Sequence, residues 1–142
     1  MATDNHHRSV TVERTGSGRF TVSNARGGQI TIGTGDGTDF TPTELLLAAI
    51  GGCTSIDVDI FTTRRAEPDR FLVTAEGDKI RDAHGNRLTN LVVTFDLTFP
   101  DGERGEAARA LLPDAVQKSH DRLCTVGKTV ELGTAIGTKI VQ

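Results

Sequence analysis

Alternating apolar and polar positions make the first forty residues β structure. Val10 and Val12 alternate with polar neighbours, "GSGR" turns the chain, Phe20 and Val22 continue, and Ile30 and Ile32 follow "NARGG". The glycine-rich stretch "GTGDGTD" at 33–39 stops the pattern. Its spacing is that of a phosphate loop, but no Lys-Ser/Thr ending follows and no helix opens at the right offset, so it reads as a plain loop.

From Thr41 the period changes. Thr41 suits an N-cap, Pro42 the first helical position, and Glu44 stands three residues after the cap, which is the pattern of a capping box. Leu46, Ala49, Cys53, Ile56 and Ile60 fall on one helical face, and Leu45, Leu47, Ala48 and Ile50 make the first half apolar nearly all round. Such a helix is expected to be central and buried, with Asp57 and Asp59 marking where polar surroundings begin. The adjacent Gly51 and Gly52 cost a helix interior about 2 kcal/mol relative to alanine. They predict either a close backbone approach or a bend. A break there would set Cys53 near a fresh helix N-terminus, where the dipole favours a thiolate; an unbroken helix removes that help.

Two further strands follow, at 71–81 and 88–99, joined at "DAHGN"; in the second, Leu91, Val93, Phe95, Leu97 and Phe99 alternate cleanly. "PDGERGE" reads as a loop. A helix in two parts comes next, because Pro113 can start a helical segment but hardly sit inside one. The second part runs to Cys124, and the tail "TAIGTKIVQ" returns to strand. The order βββ-α-ββ-α-β, with no repeated βαβ unit, predicts an α+β fold. At 142 residues it reads as a single domain over 1–142, with a flexible stretch at 1–8.

Composition narrows the function classes. A formal net charge of −3 exerts no pull on nucleic acid or anionic lipid, and with no Trp or Tyr the stacking platforms for single strands are scarce. The polar N-terminus is not a secretory signal, and the apolar run at 45–50 is too short to span a bilayer. The expectation is a cytoplasmic protein with neither a nucleic-acid nor a membrane partner. In a reducing compartment a structural bridge between Cys53 and Cys124, 71 residues apart, is improbable, so a redox or metal role competes with simple burial. Cys124, at the end of a predicted helix, would be the poorer attacking thiol and the better partner. His120 stands one turn before it, and with Cys53 the three could hold zinc, although no fourth ligand is apparent.

The segments "PTELLLAAIGGCTSIDV" and "HDRLCTVGKTVELG" together resemble the OsmC/Ohr family of stress-induced proteins, in its OsmC-like branch. The similarity extends over nearly the whole chain. It implies an OsmC-like fold in an intertwined homodimer, long central helices between sheets, and active sites at the subunit interface. It also implies a thiol-dependent peroxidase that reduces organic hydroperoxides without a cofactor or metal. Cys53 would be peroxidatic, Cys124 resolving, and an external dithiol the reductant. Active peroxidases of the family place a Glu ten residues before the first Cys, paired with an Arg from the N-terminal sheet. Here that position is Thr43, with Glu44 one residue over; Arg26 is the candidate Arg by position, with Arg19 behind it. The alternative from another class is a non-catalytic redox sensor or small-molecule binder on the same fold.

Overall fold

A computed structural model of the chain describes residues 6–141. Of the expected flexible stretch at 1–8, residues 1–5 lie outside these, and 6–8 are exposed without regular structure. The chain forms two compact units, one up to Leu46 and one from Leu47.

In the first unit, β1 (Val10–Gly16), β2 (Arg19–Asn24) and β3 (Gln29–Ile32) form an antiparallel sheet in that order, as the alternation predicts. The register sets Val12 opposite Val22 and Val22 opposite Ile30, with Phe20 opposite Ile32. Side chains alternate across a strand, so this register gathers the apolar residues on one face of the sheet. That face is only partly covered: Ile32 is buried, but Val10, Val12 and Ile30 are exposed.

Helix α1 (Pro42–Thr63) begins at the expected residue and runs unbroken through Gly51-Gly52. Its capping box is formed on both sides. The Thr41 backbone N–H donates to Glu44 Oε1 at 2.9 Å, and the Glu44 N–H donates to Thr41 Oγ1 at 3.2 Å. Thr41→Ala removes one of these bonds and is expected to lower unfolding stability by about 1 kcal/mol, read from the urea midpoint. An unchanged midpoint would show that the cap contributes nothing.

In the second unit α1 lies against a hairpin of β4 (Arg70–Asp82) and β5 (Gly85–Thr98). A Cβ at Gly51 would stand 3.2 Å from Ala75 Cβ on β4, so this glycine permits the close approach that the sequence allows as one of its two options. Gly52 faces open space. The buried positions of α1 are Gly51, Thr54, Val58 and Thr62. The apolar face expected to be buried turns partly outward instead, with Ile56 64% and Ile60 49% exposed. Of the buried residues, Gly51 meets β4 and Thr54 meets Ser119 of the C-terminal segment. By length and composition alone α1 would also be apolar enough to cross a membrane. Here its small-residue face is packed on β4 and its Asp57 is hydrogen-bonded within the unit.

Three corrections concern the C-terminal third. Helix α2 (Glu103–Lys118) is continuous, with Pro113 inside it. Pro113 is exposed, so the carbonyl it leaves without an N–H partner faces water rather than the core. After α2 comes a π-helical turn, Ser119–Leu123, and then helix α3 (Thr125–Leu132), which the sequence reading does not contain. α3 ends at Gly133 in the left-handed conformation, φ 64°, a stop that glycine adopts without penalty. Beyond it, residues 134–141 pair with no strand and expose Ile136, Ile140 and Val141 almost completely. A strand needs a neighbour for its backbone groups, and among the described residues none lies there.

Candidate functional site

Cys53 sits in the middle of α1 and is half-buried; Cys124, between the π turn and α3, is buried. The fold brings the two thiols near each other across 71 residues of chain, close enough for each to act on the other. Both are free cysteines.

The surroundings of Cys124 differ from those its sequence position suggests. It closes the π turn, its N–H donating to the Ser119 carbonyl at 2.9 Å, and it is also the N-cap of α3, where Sγ accepts the Gly127 N–H at 3.2 Å. The expected helix C-terminus is therefore followed at once by a helix N-terminus, and the dipole of α3 favours rather than opposes a thiolate. Burial outweighs this. It pushes the Cys124 thiol up from its ordinary value; the Gly127 N–H opposes the shift, while the Cys53 thiol and the Asp57 carboxylate add to it.

A polar chain lies beside the thiols. Ser119 Oγ donates to Asp57 Oδ2 at 2.7 Å and stands 2.8 Å from Thr54 Oγ1, with both hydroxyl residues buried. Ser119 has one hydroxyl proton and a carboxylate only accepts, so Thr54 is the donor to Ser119. Thr54 and Ser119 carry no signal in the sequence, because a hydroxyl on a helix reads as surface. Asp57 reads there only as a mark of polar surroundings.

Next to Cys124 opens a cavity of about 620 Å³, lined by Ile50, Leu91, Val93, Phe95 and Val116, with His120 and Glu131 among its polar residues. His120 Nε2 stands 3.5 Å from Glu131 Oε1, and Nδ1 stands 3.2 Å from Asp121 Oδ1. Hydrogen bonds from Gln117 and His120 hold the Asp121 carboxyl below the usual carboxylate range. Among the described residues no three potential metal ligands converge, so the zinc arrangement of His120 with the cysteines is not assembled.

The other candidates lie in the first unit. The Glu44 carboxylate is engaged in the helix cap. Arg26 is exposed in the turn between β2 and β3, where the Asn24 side chain accepts its backbone N–H at 3.0 Å. Arg19 is paired with Asp39 at 3.4 Å.

An α+β chain that sets two distant cysteines side by side next to an apolar cavity defines a class of thiol protein, and comparison with known proteins gives it a family. The family described as OsmC-like protein matches residues 35–139, and the chain belongs to it. An uncharacterized protein of Mycobacterium tuberculosis is 31% identical over 133 residues, covering 92% of this chain and 94% of that protein. The crystal structure of a hypothetical protein from Aquifex aeolicus shares the fold with a TM-score of 0.71 at 24% identity, over 91% of this chain and 90% of that one. The organic hydroperoxide resistance protein OhrB of Bacillus subtilis shares it with a TM-score of 0.53 at 17% identity, over 87% and 90%.

Proposed function

We propose that the chain is a two-cysteine hydroperoxide reductase of oxidative defence, acting in the reducing cytoplasm as a homodimer. The observation that carries this reading is the nearness of the Cys53 and Cys124 thiols, with Cys124 lining a largely apolar cavity. Membership of the OsmC-like family supports it, as does the likeness in fold to the organic hydroperoxide resistance protein of Bacillus subtilis.

In the proposed reaction the Cys53 thiolate attacks one oxygen of the hydroperoxide O–O bond. That bond breaks, Cys53 becomes a sulfenic acid, and the other oxygen leaves as an alcohol after taking a proton. Cys124 then attacks the Cys53 sulfur; the S–S bond forms and the hydroxyl leaves as water. An external dithiol reduces the disulfide and returns both thiols. Access supports this division of roles: Cys53 is half-buried, whereas Cys124 is only 5% exposed and its pKa is raised chiefly by burial. Attack needs a reachable thiolate, while resolution needs mainly proximity to the oxidised sulfur. The test is the loss of cumene hydroperoxide in the presence of dithiothreitol. Catalytic loss supports the reading. Loss limited to one equivalent per chain would replace it with the redox sensor, a reading favoured by one observation, the engagement of Glu44 in the helix cap instead of at a thiol.

Exposed apolar side chains support the homodimer. Ile56 and Ile60 on α1 and Ile136, Ile140 and Val141 in the tail are large apolar side chains left exposed, as expected of residues that a second copy covers. Sedimentation at micromolar concentration should give a dimer, and Ile56→Asp should shift it to monomer. A wild-type monomer at that concentration would end the interfacial reading.

A further inference from the structure

We propose that Ser119 and Asp57 are positioning residues for the thiol pair: with Thr54 they peg the π-helical turn to α1 and so fix the Cys124 sulfur against Cys53. The inference rests on the two-thiol reading above but not on peroxide being the oxidant.

The geometry runs through short links. Asp57 follows Cys53 by four residues on α1, one helical turn. Its carboxylate accepts the buried Ser119 hydroxyl at 2.7 Å, and Thr54, next to Cys53 in the chain, supplies a proton to the same oxygen at 2.8 Å. The Ser119 carbonyl in turn accepts the Cys124 N–H at 2.9 Å, closing a turn of five residues where an α-helix would use four. Ser119 therefore holds Cys124 through its backbone while α1 holds Ser119 through its side chain. The far side of Cys124 is fixed as well, because its sulfur accepts the Gly127 N–H at the start of α3.

A π turn is rare because it gives up the tighter α-helical hydrogen bonding, and it persists where surrounding contacts hold it. Relaxation to an α-helix would pass the Cys124 N–H from Ser119 to His120 and rotate the cysteine about the helix axis. The peg opposes that rotation. A neutral hydroxyl pair could close the same gap; a carboxylate at the end of the chain makes the bonds charge-assisted and fixes their direction. It also sets a negative group near Cys124. The titratable groups around that thiol are Cys53 and Asp57 on α1, His120 in the π turn and Glu131 on α3, while β5 contributes apolar Leu91, Val93 and Phe95 to the same cavity.

The test oxidises the reduced, full-length protein with diamide and follows closure of the Cys53–Cys124 disulfide by mass spectrometry. Two thiols lose two protons and two electrons, which the azo bond of diamide takes up as its hydrazine. Ser119→Ala breaks the peg and should slow closure about tenfold or more, since small misplacements of reacting atoms carry rate losses of this kind. Asp57→Asn keeps an acceptor for the Ser119 hydroxyl but removes the charge. It should close efficiently, with the pH profile of closure moved to lower pH, because one cause holding Cys124 protonated is gone. Closure of folded Ser119→Ala at the wild-type rate would overturn the proposal, and so would an unmoved pH profile in Asp57→Asn. If Ser119→Ala does not fold, Asp57→Ala, which removes the acceptor of the Ser119 hydroxyl, should slow closure to the same degree, and closure of that protein at the wild-type rate would overturn the proposal. Wild-type protein that closes with diamide but does not consume peroxide would defeat the peroxidase reading and leave this one standing; failure of wild type to close with diamide would defeat the peg.

Discussion

Cys53→Ser is expected to lower peroxide loss to the rate of the uncatalysed reaction, whereas Cys124→Ser is expected to retain one oxidation and then stall. The difference comes from the steps each sulfur serves. Without Cys53 the remaining thiol is almost fully buried and its thiolate is disfavoured by that burial, so it is a poor nucleophile toward the peroxide. Without Cys124 the first attack is intact, but the sulfenic acid has no thiol beside it to condense with. Mass spectrometry after one equivalent of peroxide should find one added oxygen on Cys53 in the Cys124→Ser protein. Oxygen on Cys124 in the Cys53→Ser protein, with turnover kept, would exchange the two roles. That outcome has a physical basis, because Cys124 caps α3 and lines the cavity.

The second large effect belongs to Gly105, buried in the first turns of α2. A Cβ at this position would overlap the backbone carbonyl of Pro100. A backbone obstacle cannot swing aside as a side chain can, so Gly105→Ala must displace the N-terminal part of α2. The loss should be about 3 kcal/mol, at the upper end of overpacking costs and well above the gain of roughly 1 kcal/mol that alanine brings to a helix. The urea midpoint should fall accordingly. Because α2 leads directly into the π turn, closure of the disulfide should weaken with it. A midpoint equal to wild type would mean that the start of α2 yields without cost.

What the sequence discloses and what it conceals divide along the range of the interactions. The three short strands, the hairpin and the capping box at Thr41–Glu44 are local, set by alternation, turn residues and a three-residue spacing, and each forms where expected. The helix faces are less legible. An apolar stripe at Leu46, Cys53, Ile56 and Ile60 looks like a core face, yet the buried positions are Gly51, Thr54, Val58 and Thr62: Gly51 meets β4 closely, and Thr54 is covered where its hydroxyl meets Ser119. Pro113 misleads in another way. Its cost in a helix interior is real, but an exposed position lets water serve the freed carbonyl. The C-terminal strand is expected from Ile136, Ile140 and Val141, although a strand also requires a paired edge that no local pattern can supply.

The site follows the same division. Two cysteines among polar and glycine neighbours announce thiol chemistry, and the family resemblance assigns them to one site. Their meeting is long-range and needed the fold. The dipole argument for their roles does not survive: α1 is continuous at Gly51-Gly52, which removes the help to Cys53, and Cys124 starts a helix as well as ending one. Burial takes over as the term that separates them. The peg of Thr54, Ser119 and Asp57 was invisible, because each of its residue types is ordinary on a helix surface and only packing makes it buried.

The most direct test of the central claim is the rate at which the reduced protein is oxidised by cumene hydroperoxide at neutral pH, set against free cysteine. The account predicts oxidation well above the free-thiol rate, with one equivalent of peroxide converting Cys53 and Cys124 of the same chain into a linked peptide pair. Oxidation no faster than that of free cysteine would contradict it.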